Sequence, residues 1–377
     1  MSRINDLIKE MCPNGVEYVK LEELVDYIQP AKYIVKSTNY DIKYDVPVLT
    51  AGQTFILGYT NEKDGIYYAS ADNPVIIFDD FTTSNHWVDF NFKVKSSAMK
   101  ILISKTDNLF KYIYYCISNI DYVPKEHSRQ WIQVYSQFQI PLPPLKVQDE
   151  IVKILDKLGE LEAELEAELE ARKSQYEFWR GQMFKHKGNS KISDLFKRVK
   201  GTPITAGKMK EIEDPDGKIR IFAGGQTAVN ANLEDIPKAN IIDYPCVIVQ
   251  SRGLIDFVYY DKPFTFKNEM WAYTCNNQVT IKYLYYYLKN NVNHFRKIGT
   301  QMGSMPQISL PVTEKFEIYL PSLEEQKKIV NILDKFEKLI SDISIGLPAE
   351  IELRKKQYEY YRNKLLSFEE LNYETVA

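Results

Sequence analysis

Six short polar clusters carry the side chains best suited to reading another molecule, three in each half of the 377-residue chain. The first half offers Gln53 and Thr54, then Thr82, Thr83, Ser84 and Asn85 in FTTSNHW, then His127, Ser128, Arg129 and Gln130 in EHSRQW. The second half offers Gln226 and Thr227, then Gln250, Ser251 and Arg252 in QSRG, then Lys297, Thr300, Gln301 and Ser304 in RKIGTQMGS. Amide, hydroxyl and guanidinium groups on loops can make paired hydrogen bonds to base edges in a DNA groove. Glycines beside them let the backbone approach phosphate closely. One such cluster alone is as readily a solvated turn. Equivalent clusters recurring in both halves with different side chains fit two readers of two different sequences.

No catalytic set stands beside them. His86, His127, His186 and His294 have no paired nucleophile. A DNA methyltransferase needs a glycine-rich cofactor loop and an Asn/Asp-Pro-Pro-aromatic motif that holds the flipped base. The nearest match, DNPV from Asp72, lacks the second proline and the aromatic. A magnesium nuclease needs clustered carboxylates and a lysine, whereas Asp79, Asp80 and the DPDG segment from Asp214 to Gly217 read as turns. Cys12, Cys116, Cys246 and Cys275 are widely spaced, without CxxC or a nearby histidine, so the chain reads as reduced, metal-free and cytoplasmic. Neither a secretory leader nor an apolar run of membrane-spanning length is evident. The net charge of −3 excludes a generally basic nucleic-acid coat. Any DNA contact must come from local patches or be shared with a partner.

A duplication positions the clusters. FQIPLPPLKVQDEIVKILDK from Phe138 to Lys157 returns as FEIYLPSLEEQKKIVNILDK from Phe316 to Lys335, and KSQYEFWR from Lys173 to Arg180 returns as KKQYEYYR from Lys355 to Arg362. Upstream, AGQT from Ala51 faces GGQT from Gly224, PVIIF from Pro74 faces PCVIV from Pro245, and KYIYYCISN from Lys111 faces KYLYYYLKN from Lys282. The two halves share one plan, with small insertions between landmarks. The chain is long enough for two domains that each bury a core.

Four segments alternate: globular over 1–143, helical over 144–187, globular over 188–321 and helical over 322–377. In the first helical segment Ile151, Leu155, Leu158, Leu161, Leu165 and Leu169 form one apolar seam. In the second, Ile329, Leu333, Phe336 and Ile340 do the same. A helix of roughly 39 residues is about 58 Å long and needs its seam covered. The economical arrangement is two helices running antiparallel against each other; the alternative is that each packs on its own domain. Gly346 and Pro348 predict a break there into two helical pieces. Runs at 47–49, 75–78, 219–222, 247–249 and 257–259 predict strands, and 111–119 and 282–290 predict helices whose tyrosines could stack on bases but at that spacing are more often core.

The blocks LPPLKVQDEIVKILDK, LEAELEAELEARKSQYEFWR and GLPAEIELRKKQYEYYRNKLLSF resemble the helical regions of the specificity subunits of type I restriction-modification systems. VKSSAMKIL from Val94, the GQT loops and CPNGVEYVKLEEL from Cys12 are similar to that family's target-recognition domains. The resemblance covers essentially the whole chain. It implies an α+β fold, with two similar α/β target-recognition domains separated by two long antiparallel coiled-coil helices around a pseudo-two-fold internal repeat. It further implies a non-catalytic subunit that reads a split double-stranded DNA target, one half per recognition domain. The partners implied are two methyltransferase subunits, carrying S-adenosylmethionine, and restriction subunits, carrying ATP and Mg; no cofactor belongs to this chain and no membrane is involved. One departure is the repeat LEAE-LEAE-LEAR from Leu161 to Arg172, which differs from the TAEL-like repeat of some members and is missing from the second helical region.

Two domains related by a pseudo-two-fold match two half-sites on a duplex. One four-residue LEAE unit adds about 6 Å of helix, just under two base-pair steps of ~3.4 Å. The repeat number is therefore expected to set the unread gap between half-sites. The non-enzymatic alternative is a coiled-coil adaptor whose globular parts bind protein.

Overall fold

The computed structural model describes residues 2–50, 54–236, 238–299, 305–342 and 344–371. The chain divides into two units, Met1–Glu164 with Ile351–Ala377, and Leu165–Glu350. The first opens with α1 (Ser2–Met11), β1 (Glu17–Lys20) and α2 (Leu21–Leu24). Strands β2 (Val25–Ile28), β3 (Val46–Leu49), β4 (Ile56–Thr60), β5 (Val75–Asp79), β6 (Asn85–Val88), β7 (Lys93–Val94) and β8 (Met99–Ser104) follow. Then come α3 (Phe110–Ser118), β9 (Gln139–Leu142) and α4 (Leu145–Met183), whose later part belongs to the second unit.

Strand order is β2-β8-β5-β6 in an antiparallel sheet and β4-β3-β7 in a smaller one, where β3 runs antiparallel to β4 and parallel to β7. All five residues of β5 are buried, and alternation explains why. Ile76 and Phe78 enter a core with Tyr112 and Ile113 of α3 and Ile151 and Leu155 of α4. Val75 and Ile77 point the other way, into a core with Leu49, Phe92 and Val94. One sheet thus has helices on one face and the smaller sheet's core on the other.

The second unit repeats this topology. It contains β10 (Ser190–Lys191), α5 (Ile192–Leu195), β11 (Lys197–Lys200), α6 (Ala206–Glu211), β12 (Ile219–Phe222), β13 (Ala228–Ala231), β14 (Cys246–Gln250), β15 (Asp256–Tyr260), β16 (Phe264–Phe266) and β17 (Trp271–Thr274). Helices α7 (Gln278–Asn290), α8 (Val292–Gly299) and α9 (Leu310–Glu314), strand β18 (Glu317–Ile318) and helix α10 (Leu323–Ser341) complete it. The sheets are β11-β17-β14-β15 and β13-β12-β16, with the same parallel pair, β12 with β16. Val247 and Val249 of β14 face Leu284 and Leu288 of α7, while Cys246 and Ile248 face Phe264 and Phe266.

The long first helix spans 39 residues as the seam predicts. The second helical region is two pieces, α10 and α11 (Leu347–Leu365). Asp342 ends α10, its Oδ1 accepting from Ser344 N at 2.8 Å. A Cβ on Gly346 would lie 2.7 Å from the carbonyl oxygens of Asp342 and Lys338, so only glycine fits. The seams pack into the cores of their own units. Ile151 and Leu155 are buried in the first unit's core with Leu365 of α11, and Val330 and Leu333 in the second's with Tyr176 of α4. Side chains of the long helices also meet directly, Lys355 with Glu162 at 3.8 Å in the first unit and the Tyr176 and Phe336 rings at 6.2 Å in the second. Leu158, Leu161, Leu165 and Leu169 stay half-buried.

Two repeated side chains fix each globular part on its helix. Buried Gln148 donates to Pro143 O at 2.8 Å and accepts from Leu109 N at 3.1 Å. Its counterpart Gln326 donates to Pro321 O at 2.7 Å and accepts from Thr280 Oγ1 at 2.8 Å. Asp156 accepts from the Tyr115 hydroxyl, and Asp334 accepts from Tyr286 at 2.5 Å. Burial first, and then the neighbouring carboxylates, hold both phenols far above their ordinary range. Tyr112, Tyr115, Tyr283, Tyr286 and Tyr287 are all buried, as the core reading of α3 and α7 expects.

Candidate nucleic-acid interface

In the first unit the turn between β5 and β6 is built by its own side chains. Asp79 Oδ1 accepts from Phe81 N at 2.8 Å and Thr82 N at 3.1 Å, and Thr83 takes a left-handed φ of 64° while its N–H donates to Asp79 O. The 127–131 segment is tied to this turn from below. Gln130 N donates to Asp80 O at 2.8 Å, and Trp131 N donates to Asp80 Oδ1 at 2.9 Å. Asp80 Oδ2 lies 3.4 Å from Lys100 Nζ, with the side chains 1 % and 0 % exposed. The Phe81 and His127 rings stack at 4.6 Å, and Phe55 and His86 stack at 4.1 Å. Burial pushes the His86 imidazole below its ordinary pKa. The three clusters of this half are thereby one surface, with Thr54, Thr82, His127, Ser128 and Arg129 exposed on it and Ser84 and Asn85 partly so.

The second unit assembles its clusters through backbone. Gly225 N donates to Arg252 O at 2.9 Å, Gly253 N to Pro306 O at 2.8 Å, Ile308 N to Ser251 O at 2.9 Å and Gln307 N to Gly299 O at 3.2 Å. Gly225 and Gly253 have φ values of 71° and 76°, which glycine adopts without strain. Gln226, Thr227, Arg252 and Lys297 are exposed around this junction. Ser251 O receives Ile308 N much as Asp80 O receives Gln130 N, so one tie holds different side chains in the two units.

Four candidates are interior. Gln130 is 2 % exposed, its Oε1 accepting from the Tyr122 hydroxyl at 2.8 Å and its Nε2 donating to Ser128 O at 2.8 Å. Thr83, Gln250 and Ser251 are likewise buried. Their polarity serves the loops, since a buried amide left unpaired costs about 1–3 kcal/mol. Gln53, Thr300, Gln301 and Ser304 lie outside the described residues. Sequence reasoning missed Asp80, Lys100 and Trp131 as the frame of the first cluster, and Gln148, Gln326, Asp156 and Asp334 as anchors. Identity in both copies of the repeat was the available signal for the last four. Among the described residues no group of three or more His, Cys, Asp or Glu side chains is placed to hold a metal ion, and no helix is long and apolar enough to cross a membrane.

The family model described as the type I restriction modification DNA specificity domain matches the chain twice, over residues 13–171 and 185–353. The chain belongs to this type I DNA specificity family. Among its relatives, the specificity subunit of the type I restriction enzyme EcoR124I/EcoR124II of Escherichia coli is 39% identical, over 98% of this chain and 98% of that protein. A putative type I restriction enzyme specificity subunit of Haemophilus influenzae is 30% identical over 94% of this chain and 96% of its own length. The crystal structure of a type I specificity subunit from M. genitalium shares the fold, with a TM-score of 0.60 at 14% identity over 94% of this chain and 97% of that one. The two matched stretches cover the two copies of the repeat up to the blocks at 173–180 and 355–362, and each contains three of the six loop clusters.

Proposed function

We propose that this specificity-family chain is the DNA-reading subunit of a type I restriction-modification assembly, with each unit reading one half of a split target. The observation that carries the reading is the duplicated loop cluster, in which equivalent loops are tied together while, outside the shared GQT pair, the exposed side chains differ. Arg129 in one cluster and Arg252 in the other have the donor geometry for a guanine edge, and Thr54, Thr82, Gln226 and Thr227 for either partner of a base pair. Gln53, Thr300, Gln301 and Ser304 join them on the strength of their type and place in the sequence. Thr83, Gln130, Gln250 and Ser251 shape the loops from within.

The repeated blocks at 173–180 and 355–362 supply the partner surface in this reading. Phe178 and Trp179 are 59% and 44% exposed on α4, and Tyr360 is 59% exposed on α11. Exposed aromatic clusters of this kind mark interfaces, and two copies suit two methyltransferase subunits. The chain itself is non-catalytic and cytoplasmic; S-adenosylmethionine belongs to the methyltransferase, and ATP and Mg to a restriction subunit. Titration of duplex DNA with the assembled complex tests the reading. Affinity is expected to fall steeply with salt, as phosphate contacts require; a flat response would contradict it and favour a protein-binding adaptor.

A further inference from the structure

Away from the loop tips, the second unit contains a cleft of about 810 Å³ whose floor is Phe184, Tyr287 and Phe316 and whose rim carries Lys185, Lys187 and Lys315. The rings pack edge to face, Phe184 on Tyr287 at 5.3 Å and Tyr287 on Phe316 at 6.3 Å, so the floor is fixed. All three lysines are exposed, and among the described residues none of their ammonium groups has an ion-pair or hydrogen-bond partner. Three further basic side chains of this unit are paired, Lys282 with Asp334, and Lys289 and Arg296 with Asp256. Glu317 is the one carboxylate in the lining. Three unpaired cations around a rigid apolar floor make a site for an anion larger than an isolated ion.

The cleft also adjoins the reading loops. His294 and Ile298 line it from α8, whose next exposed residue is Lys297 and whose last, Gly299, accepts from Gln307 N of the loop junction. We propose that this cleft seats the phosphate backbone of the duplex flanking the half-site read by the second unit. The inference rests on the function proposed above and adds to it an asymmetry. By the alignment of the repeat, Asn14, Val16 and Gln137 stand where Lys185, Lys187 and Lys315 stand, and none is charged. Gln137 is moreover bonded within its own unit, to Lys20 and Glu22. The grip on flanking DNA therefore belongs to one end of the target.

The test is the triple variant K185Q/K187Q/K315Q in the full chain, assembled with its methyltransferase subunits and titrated with duplex target across a salt series. Each lost phosphate contact lowers the slope of log affinity against log salt by about 0.9, so three lower it by about 2.7. Between 50 and 200 mM salt the wild-type assembly should then lose about 40-fold more affinity than the variant. The methylated sequence should be unchanged, since phosphate contacts carry no base information. A wild-type assembly that binds with a slope the variant shares overturns the cleft assignment alone; one that does not bind duplex overturns the functional reading with it. An equal-charge control, K9Q/K43Q/K63Q in the first unit, that lowers the slope as much would also overturn the assignment. Deoxyadenosine monophosphate at constant ionic strength separates the two sources of phosphate. Negligible binding is expected, and a micromolar site abolished in the triple variant would assign the cleft to a free nucleotide instead.

Discussion

Replacing Asp80 by Asn should destabilise the first unit far more than the exchange of one oxygen for an amide nitrogen suggests. Lys100 Nζ is fully buried in β8, has no hydrogen-bond partner, and lies 3.4 Å from the Asp80 carboxylate. Its other neighbour is the Tyr27 ring, at 4.8 Å from the centroid. Asp80→Asn keeps the acceptor for Trp131 N and removes the charge that balances the lysine. Breaking a buried pair on one side costs about 3–5 kcal/mol, because it strands a charge in the interior. For a unit of this size that is a fall of roughly 6–20 °C in the melting transition, at about 2–4 °C per kcal/mol. Adding Lys100→Met to Asp80→Asn should restore most of the loss, since an apolar replacement of a buried pair is often neutral. Calorimetry of the full chain reads both effects. A single variant within about 1 kcal/mol of wild type, or a double variant no better than the single, would refute the reasoning. Because the Asp80–Lys100 pair lies beneath the 81–84 turn and the 127–131 segment bonded to it, stranding the Lys100 charge should relax the first half-site and leave the second intact.

Inserting one LEAE unit into the stretch from Leu161 to Arg172 should lengthen α4 by about 6 Å and widen the preferred gap by one or two base pairs of ~3.4 Å. Methylated-site sequencing would show an unchanged gap if the helix is not the ruler. Gln326→Leu leaves the Thr280 hydroxyl and Pro321 carbonyl without their buried partner and should cost about 1–3 kcal/mol in urea denaturation, whereas no shift in midpoint would deny it an anchoring role. The Cys116 and Cys246 thiols are pushed up to about 12 by burial, so fewer than about one in a thousand is thiolate at pH 8. Iodoacetamide should leave both untouched until the protein unfolds, and rapid labelling of the folded chain would contradict that burial.

The scaffold was legible wherever a single physical pattern determined it. The runs at 75–78 and 247–249 read as strands because they are short, apolar and bounded by Gly, Asp and Asn clusters, and the strands they seed, Val75–Asp79 and Cys246–Gln250, are buried at all five positions; the seam from Ile151 to Leu169 read as a helix by its spacing. Gly346 with Pro348 marked the break because proline kinks a helix interior, and the structure adds that carbonyl oxygens crowd the Gly346 backbone. The candidate interface was legible by residue type and less so by direction. Gln130 has the right chemistry for a base edge, but Tyr122 and Ser128 saturate it, and no local pattern reports partners in a folded loop. Lys100 sits in the apolar run MKILIS, a warning that a buried charge needs a partner; that the partner is Asp80 follows only from strand pairing. Gln148 and Gln326 stood in the repeat from the start, and their role emerges only once α3 and α7 are seen to present Leu109 N and the Thr280 hydroxyl to them.

The central claim, that each unit reads its own half of one DNA target, is tested most directly by sequencing the methylated sites in a host carrying the wild-type chain and in one carrying Arg252→Ala. The wild type should give a motif of two defined halves separated by a fixed run of unread bases. The variant should keep one half and the gap while its other half loses discrimination at one position, by about 1–3 kcal/mol. A continuous motif in the wild type, or simultaneous change of both halves in the variant, would contradict the account.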